Sequence, residues 1–178
     1  MNRAKPIAMG LLALATLASG CAPTWRATGG TGEAARPSLF GFPWAWTDDA
    51  GERVELSRWR GNTLVVTMVY TSCLDTCPLT LDKLRKVHEE FARTGRRAEF
   101  VLVTLDPERD DAARLRQFRK SAALPDAWHL LSGSERDTQQ LRDLLDIHVV
   151  DAESHLVHDA RIAVFDGEGR STAELDVL

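Results

Sequence analysis

The sequence predicts an α/β layer fold built on a central mixed sheet flanked by helices, and three observations carry that prediction. Short apolar runs alternate with longer segments whose apolar residues recur every three or four positions. Turn and capping residues fall where strand must give way to helix. Residues 39–178 supply enough chain for one compact domain, the commonest size being about 100–150 residues. Alternation of this kind lays strands side by side in a partly parallel sheet.

The elements follow in order. Residues 42–47 and 53–56 read as an N-terminal β-hairpin around Asp48-Asp49-Ala50-Gly51, and residues 64–70 as the first buried strand. A helix begins at Pro78, because a first turn does not need the N–H that proline lacks. Leu79, Leu81, Leu84, Val87 and Phe91 give that helix one apolar face, and Gly95 stops it. Residues 99–104 form a second buried strand. Ala112, Leu115 and Phe118 mark a helix over 110–121, and a short strand follows at 128–131. Ser134, with Asp137 three residues on, resembles a capping box and opens a helix through Leu141, Leu144 and Leu145. Residues 148–150 and 161–165 read as strands, and Asp166-Gly167-Glu168-Gly169 turns the chain into a last strand. No internal repeat is visible.

The N-terminus points to export. Arg3 and Lys5 precede an apolar stretch over 9–18 that is too short for a permanent membrane span, so residues 1–20 read as a secretory signal. Ala18-Ser19-Gly20-Cys21 resembles the lipobox of bacterial lipoproteins, in which the cysteine is lipidated and becomes the first mature residue. The alternative is an ordinary signal peptide cut nearby, with Cys21 left free. Residues 21–38, rich in Thr, Gly, Ala and Pro without apolar period, read as a flexible tether between lipid and domain. Formal net charge is −4, and removing Arg3 and Lys5 leaves −6, which argues against nucleic acid or an anionic membrane surface as partner.

Three cysteines are present, and an odd number in an exported chain requires a reason for the spare thiol. Lipidation of Cys21 would leave Cys73 and Cys77 as an isolated pair, in Cys73-Leu74-Asp75-Thr76-Cys77 between the buried strand and Pro78. Unpaired N–H groups and the positive end of a helix dipole favour a thiolate there, the form that attacks disulfides and binds metals. As a staple the pair would close too small a loop to constrain much unfolded chain, so its role is chemical.

A redox-capable pair after the first core strand suggests a thioredoxin-like fold, and longer motifs narrow the resemblance. Tyr70-Thr71-Ser72-Cys73-Leu74-Asp75-Thr76-Cys77-Pro78, then Val103-Thr104-Leu105-Asp106-Pro107-Glu108-Arg109-Asp110, then His158 eight residues before Asp166, resemble the three signature blocks of the Sco/SenC family. Thr47-Asp48-Asp49-Ala50-Gly51 and Leu56-Ser57-Arg58-Trp59-Arg60-Gly61 are similar to the family's N-terminal hairpin. The resemblance runs from about residue 39 to residue 169 and makes residues 39–178 a thioredoxin-like Sco domain. It implies a membrane-tethered copper protein that helps assemble the dinuclear copper centre of cytochrome c oxidase.

Within that resemblance Cys73, Cys77 and His158 are the expected copper ligands, His158 lying on a loop ahead of the 161–165 strand. Two soft thiolates suit Cu(I), and an added imidazole also accommodates Cu(II). Three ligands leave one side open for a partner's donor. His155, three residues away on the same predicted loop, is the rival imidazole; His88, His129 and His148 read as surface, satisfied or strand residues. Asp106 either orients a ligand and tunes the thiols, or shares with Asp110 the capping of the next helix. Asp75 either adds negative charge beside the metal or is solvated.

Two departures from the family pattern stand out. Leu74 replaces a common Pro, and Asp159 replaces a small hydroxyl residue after His158, where it could hydrogen-bond the imidazole or draw it away. Thioredoxin-like domains usually end in a helix over one sheet face, and residues 171–178 are too short for one, which predicts a face exposed, dimerised or incomplete.

Two functions from different classes are consistent with these residues. One is a copper metallochaperone that loads the copper-bearing oxidase subunit, lipid-anchored in the bacterial envelope and facing the periplasm. The other is a thiol–disulfide oxidoreductase acting on that subunit's cysteines or on other periplasmic thiols, with Cys73–Cys77 as its redox disulfide. A second periplasmic copper chaperone or a thiol reductant would complete the partner set. His158 separates the two, since disulfide exchange needs no imidazole ligand. A peroxidase is disfavoured, for lack of the loop that stabilises a peroxidatic thiolate.

Overall fold

The computed structural model describes residues 26–27, 36–72, 76–152 and 155–177. The predicted signal at 1–20, the lipidation candidate Cys21, most of the 21–38 tether, and Cys73, Leu74 and Asp75 lie outside the described residues.

Runs that are apolar at most positions need burial on both faces, and they form the middle of the sheet. β4 (Leu64–Val69) is buried throughout. It pairs in parallel with β5 (Glu99–Thr104), which pairs in parallel with β6 (Trp128–Ser132). On the other side β9 (Arg161–Phe165) runs antiparallel to β4, and β10 (Ser171–Asp176) antiparallel to β9. The predicted hairpin forms as β2 (Trp46–Asp48) and β3 (Arg53–Val54), joined to the sheet by β2 against β6. With β1 (Arg26–Ala27) on β10, the eight-stranded order is β1-β10-β9-β4-β5-β6-β2-β3.

Alternate residues of the strands face opposite layers. Val65, Val69, Phe100, Leu102, Leu130, Ile162 and Val164 pack under Leu81, Leu84, Val87 and Phe91 of α1 (Thr76–Arg93), with Leu115 of α2 (Ala112–Ser121). Leu64, Val66, Met68, Val101, Val103 and Phe165 face Leu141 of α3 (Glu135–Leu144) and the aromatic N-terminal segment of Trp44, Trp46 and Trp59. Among the described residues, no helix is long and apolar enough to cross a membrane.

Several expectations need correction. Arg26 and Ala27, inside the predicted tether, pair with Glu174 and Ala173; β10 offers its outer edge groups to them. The stretch after β3 bends into a 3₁₀ turn at Leu56–Trp59 rather than continuing as strand. α1 starts at Thr76, ahead of Pro78, and Leu79 is 51% exposed rather than on the apolar face. Its stop is as predicted, with Gly95 at φ +67°. The N-cap of α2 is Asp111, which accepts from the Arg114 N–H, and not Asp106 or Asp110. Ser134 caps α3 by accepting from Asp137 N–H at 3.1 Å. The segment containing His155 and His158 is a hairpin, β7 (Val149–Ala152) with β8 (His155–His158), and not a loop. Leu175 and Val177, in the final segment, are buried in the same core cluster as Leu81, Leu84, Val87 and Phe91 of α1.

Candidate metal centre

The candidate site lies at the C-terminal end of β4, where parallel strands hand over to connections and helices. β4 ends at Val69, and α1 begins at Thr76 with Cys77 as its second residue. Cys77 therefore occupies a first helical turn, whose main-chain N–H groups lack intrahelical acceptors and whose dipole favours an anion.

His158 reaches this end of the sheet from the last position of β8, opposite Val149. It is 4% exposed, and its ring meets Tyr70 edge to face at 5.7 Å between centroids. Tyr70 directly follows β4 and stands three residues before Cys73, so this contact puts the imidazole beside the start of the cysteine segment. His158 Nδ1 lies 2.8 Å from the main-chain oxygen of Asp159. A carbonyl can only accept, so Nδ1 carries a proton, and in the neutral imidazole Nε2 is then the nitrogen with the free lone pair. That Nε2 is buried and has no hydrogen-bond partner among the described residues. A buried acceptor left unpaired is costly in a folded protein, and a metal ion is a partner that removes the cost.

The remaining candidates separate. His155 stands opposite Ala152 at the far end of β8, three residues from His158, or about 10 Å along a strand. Asp159 does not engage the His158 ring through its carboxylate: Oδ2 pairs with His148 Nδ1 at 3.0 Å, and only the main-chain oxygen serves His158. His129 bonds Glu99 at 3.0 Å, and the His88 ring packs against Phe100. Asp106 accepts from Arg109 at 2.9 Å rather than from a histidine. Asp75, like Cys73, lies outside the described residues.

One residue at this end was misassigned by sequence reasoning. Asp110 is 1% exposed and accepts from Thr71 N–H at 2.9 Å, Thr71 Oγ1 at 2.5 Å and Thr104 Oγ1 at 2.6 Å. Thr104 Oγ1 in turn accepts from Asp106 N–H at 3.0 Å. The available signal was a threonine at the end of β5 and another just beyond β4, where apolar residues would otherwise be expected.

A mixed sheet with the α1 helix springing from its central parallel strand, and a dithiol segment at that junction, defines a thioredoxin-like protein. The chain belongs to the SCO1/SenC family, whose model matches residues 32–177. An SCO2-like protein of Rickettsia conorii is 29% identical over 99 residues, 56% of this chain and 46% of its own. The chain spans about half the length of the curated relatives it matches. Arabidopsis thaliana ScoI, solved with copper bound, is 21% identical at TM-score 0.68, over 78% of this chain and 91% of that one. BsSco, a member of the Sco family of cytochrome c oxidase assembly proteins in which a disulfide switch has been identified, is 17% identical at TM-score 0.67, over 82% and 88%. At these identities the structural likeness is one of fold.

Proposed function

We propose that this protein binds copper through Cys73, Cys77 and His158 and delivers it during assembly of the dinuclear copper centre of cytochrome c oxidase. The observation that carries the reading is the His158 imidazole: buried, fixed by Asp159 and Tyr70, protonated on Nδ1, and unpartnered at Nε2 among the described residues. Two thiolates and one imidazole fit Cu(I), and they fit Cu(II) with a weak or absent fourth ligand. Three protein donors leave an approach for a donor from the acceptor subunit, so ligands exchange one at a time. Family membership and the copper-bound ScoI support the same reading. The sequence around Cys21 supports a lipid anchor at the bacterial envelope, facing the periplasm.

A competition titration of the reduced protein against a chromophoric Cu(I) chelator tests the ligand set. The expected result is one Cu(I) per chain, with affinity sharply reduced in Cys73→Ser and Cys77→Ser. Stoichiometric binding that survives both substitutions would overturn the assignment.

A second reading has its own support. Cys77 lies in the first turn of α1, where a thiol is activated, and BsSco carries a disulfide switch. In this reading the Cys73–Cys77 pair is a thiol–disulfide oxidoreductase centre that reduces the acceptor's cysteines before copper arrives. Turnover of a disulfide substrate by copper-free protein, unaffected by loss of His158, would favour it over the chaperone.

A further inference from the structure

The chain enters the cysteine segment through Thr71 and Ser72, and Thr71 is held by a residue remote in sequence. Asp110 lies beyond the Asp106-Pro107-Glu108-Arg109 turn, itself closed by Asp110 N–H to Asp106 O at 2.9 Å. Its carboxylate ties the turn after β4 to the end of β5: one oxygen takes the Thr71 N–H and the Thr104 hydroxyl, the other takes the Thr71 hydroxyl. Thr104 Oγ1 already accepts from Asp106 N–H, so its own proton is directed at Asp110. All three contacts thus run toward the carboxylate, which acts purely as an acceptor. Leu105 N–H to Val69 O at 2.7 Å continues the β4–β5 ladder into the same corner.

This arrangement has more than a folding role available to it. A helix cap would have placed the carboxylate at the solvent-exposed start of α2, where Asp111 serves instead. Burying a carboxylate beneath a loop is costly unless every lone-pair direction in use is met, and here donors from both strand ends converge on it. What the burial fixes is the position of Thr71, two residues before Cys73.

We propose that Asp110 is a positioning residue for the dithiol: its buried carboxylate clamps Thr71 to Thr104 and so fixes the path by which the chain reaches Cys73. A disulfide demands a narrow range of Cα separations and dihedrals, and a two-thiolate metal site demands a comparable sulfur geometry. Loosening the lead-in to Cys73 lowers the effective concentration of one thiol at the other. The disulfide then becomes easier to reduce and bound copper less uniform. The copper consequence rests on the proposed function; the redox consequence does not.

The test compares Asp110→Ala, Asp110→Asn and Thr71→Val in the full chain, with unfolding midpoints recorded alongside. The Cys73/Cys77 couple of metal-free protein is equilibrated in a dithiol redox buffer, and the thiolate-to-Cu(II) absorption is recorded separately. In Asp110→Asn the amide oxygen can still accept from Thr71 N–H and Thr104 Oγ1, while the amide nitrogen donates to the Thr71 hydroxyl. That variant should therefore keep the couple within about twofold of wild type. Asp110→Ala should shift the equilibrium toward the dithiol by at least tenfold, about 30 mV to more positive potential, and broaden the absorption. Thr71→Val, which keeps the N–H contact, should shift it in the same direction by about threefold.

A folded Asp110→Ala with an unchanged couple overturns the proposal. So does an Asp110→Asn as perturbed as Asp110→Ala, which would assign the effect to charge. If Asp110→Ala does not fold, Thr71→Val decides: an unchanged couple in that variant overturns the proposal. A wild type that binds no copper, with the couple shifting as stated, would sink the copper reading and leave this one standing.

Discussion

Replacing His158 by leucine should destroy copper binding while leaving the copper-free protein as stable as before or more so. Leucine is close to histidine in volume and has no polar atom to leave unpaired. The substitution removes the orphaned Nε2, a burial penalty of about 1–3 kcal/mol, and forfeits the Nδ1 bond to Asp159 O, about 0.5–1.5 kcal/mol. The net change lies between a loss of roughly 0.5 and a gain of roughly 2.5 kcal/mol. Few substitutions at a site 4% exposed carry that sign, since most core changes destabilise. Urea unfolding of the reduced, copper-free protein reads the stability. Chelator competition reads the copper, for which at least a hundredfold loss, about 2.8 kcal/mol, is expected. A destabilisation of about 2 kcal/mol would mean that the imidazole is a structural group with a satisfied Nε2. Copper affinity within about threefold of wild type, roughly 0.7 kcal/mol, would remove His158 from the ligand set.

Two further predictions concern the frame around the site. Leu84 is fully buried on the inner face of α1, and Leu79 on the same helix is 51% exposed two residues past Cys77. Leu84→Ala should therefore cost about 2–5 kcal/mol and Leu79→Ala no more than about 0.5 kcal/mol, as read by thermal or urea denaturation; similar costs would place Leu79 in the core. At the β9–β10 turn, desolvation raises the Asp166 carboxyl, but the N–H groups of Arg170 and Glu168 and the Arg170 guanidinium outweigh it and hold the group below its ordinary value. A depressed folded-state pKa gives stability that is present above the unfolded value of about 3.9 and lost as pH falls through the folded one. Wild type should lose stability more steeply than Asp166→Asn below about pH 4, and parallel curves would show the turn contacts to be energetically silent.

What was legible in the sequence followed from burial. Residues 64–69, 99–104 and 161–165 are apolar almost without interruption because both their faces are covered, so their boundaries could be read directly. Leu79 misleads because it heads a row whose later members, Leu81, Leu84, Val87 and Phe91, fall three or four apart, whereas Leu79 and Leu81 stand about 200° apart around the helix. β8 escapes sequence reading because four residues that pair only with β7, away from the main sheet, carry no period long enough to see. Asp106, Asp110 and Asp111 crowd one helix start, and sequence alone cannot say which one caps. The strand ends decide it, since Thr71 and Thr104 present hydroxyls to Asp110 and leave Asp111 for the helix.

The two halves of the candidate site are held by independent means, and that independence bears on how a chaperone and a reductase can share one set of residues. His158 is held by the main-chain oxygen of Asp159 and by the Tyr70 ring, contacts in which neither thiol takes part. The lead-in to the cysteines is fixed by Asp110, through Thr71 and Thr104 rather than through the imidazole. Thiolates committed to a disulfide cannot ligate copper, and thiolates holding copper cannot attack a disulfide. Oxidation thus removes two donors while leaving the third in place, and reduction restores the site without rebuilding the imidazole. On the proposed function, the two readings are successive states of one centre, ordered by its redox potential. The proposed Asp110 clamp would set that potential through geometry, which would make it the point at which sequence can bias the protein toward one role or the other.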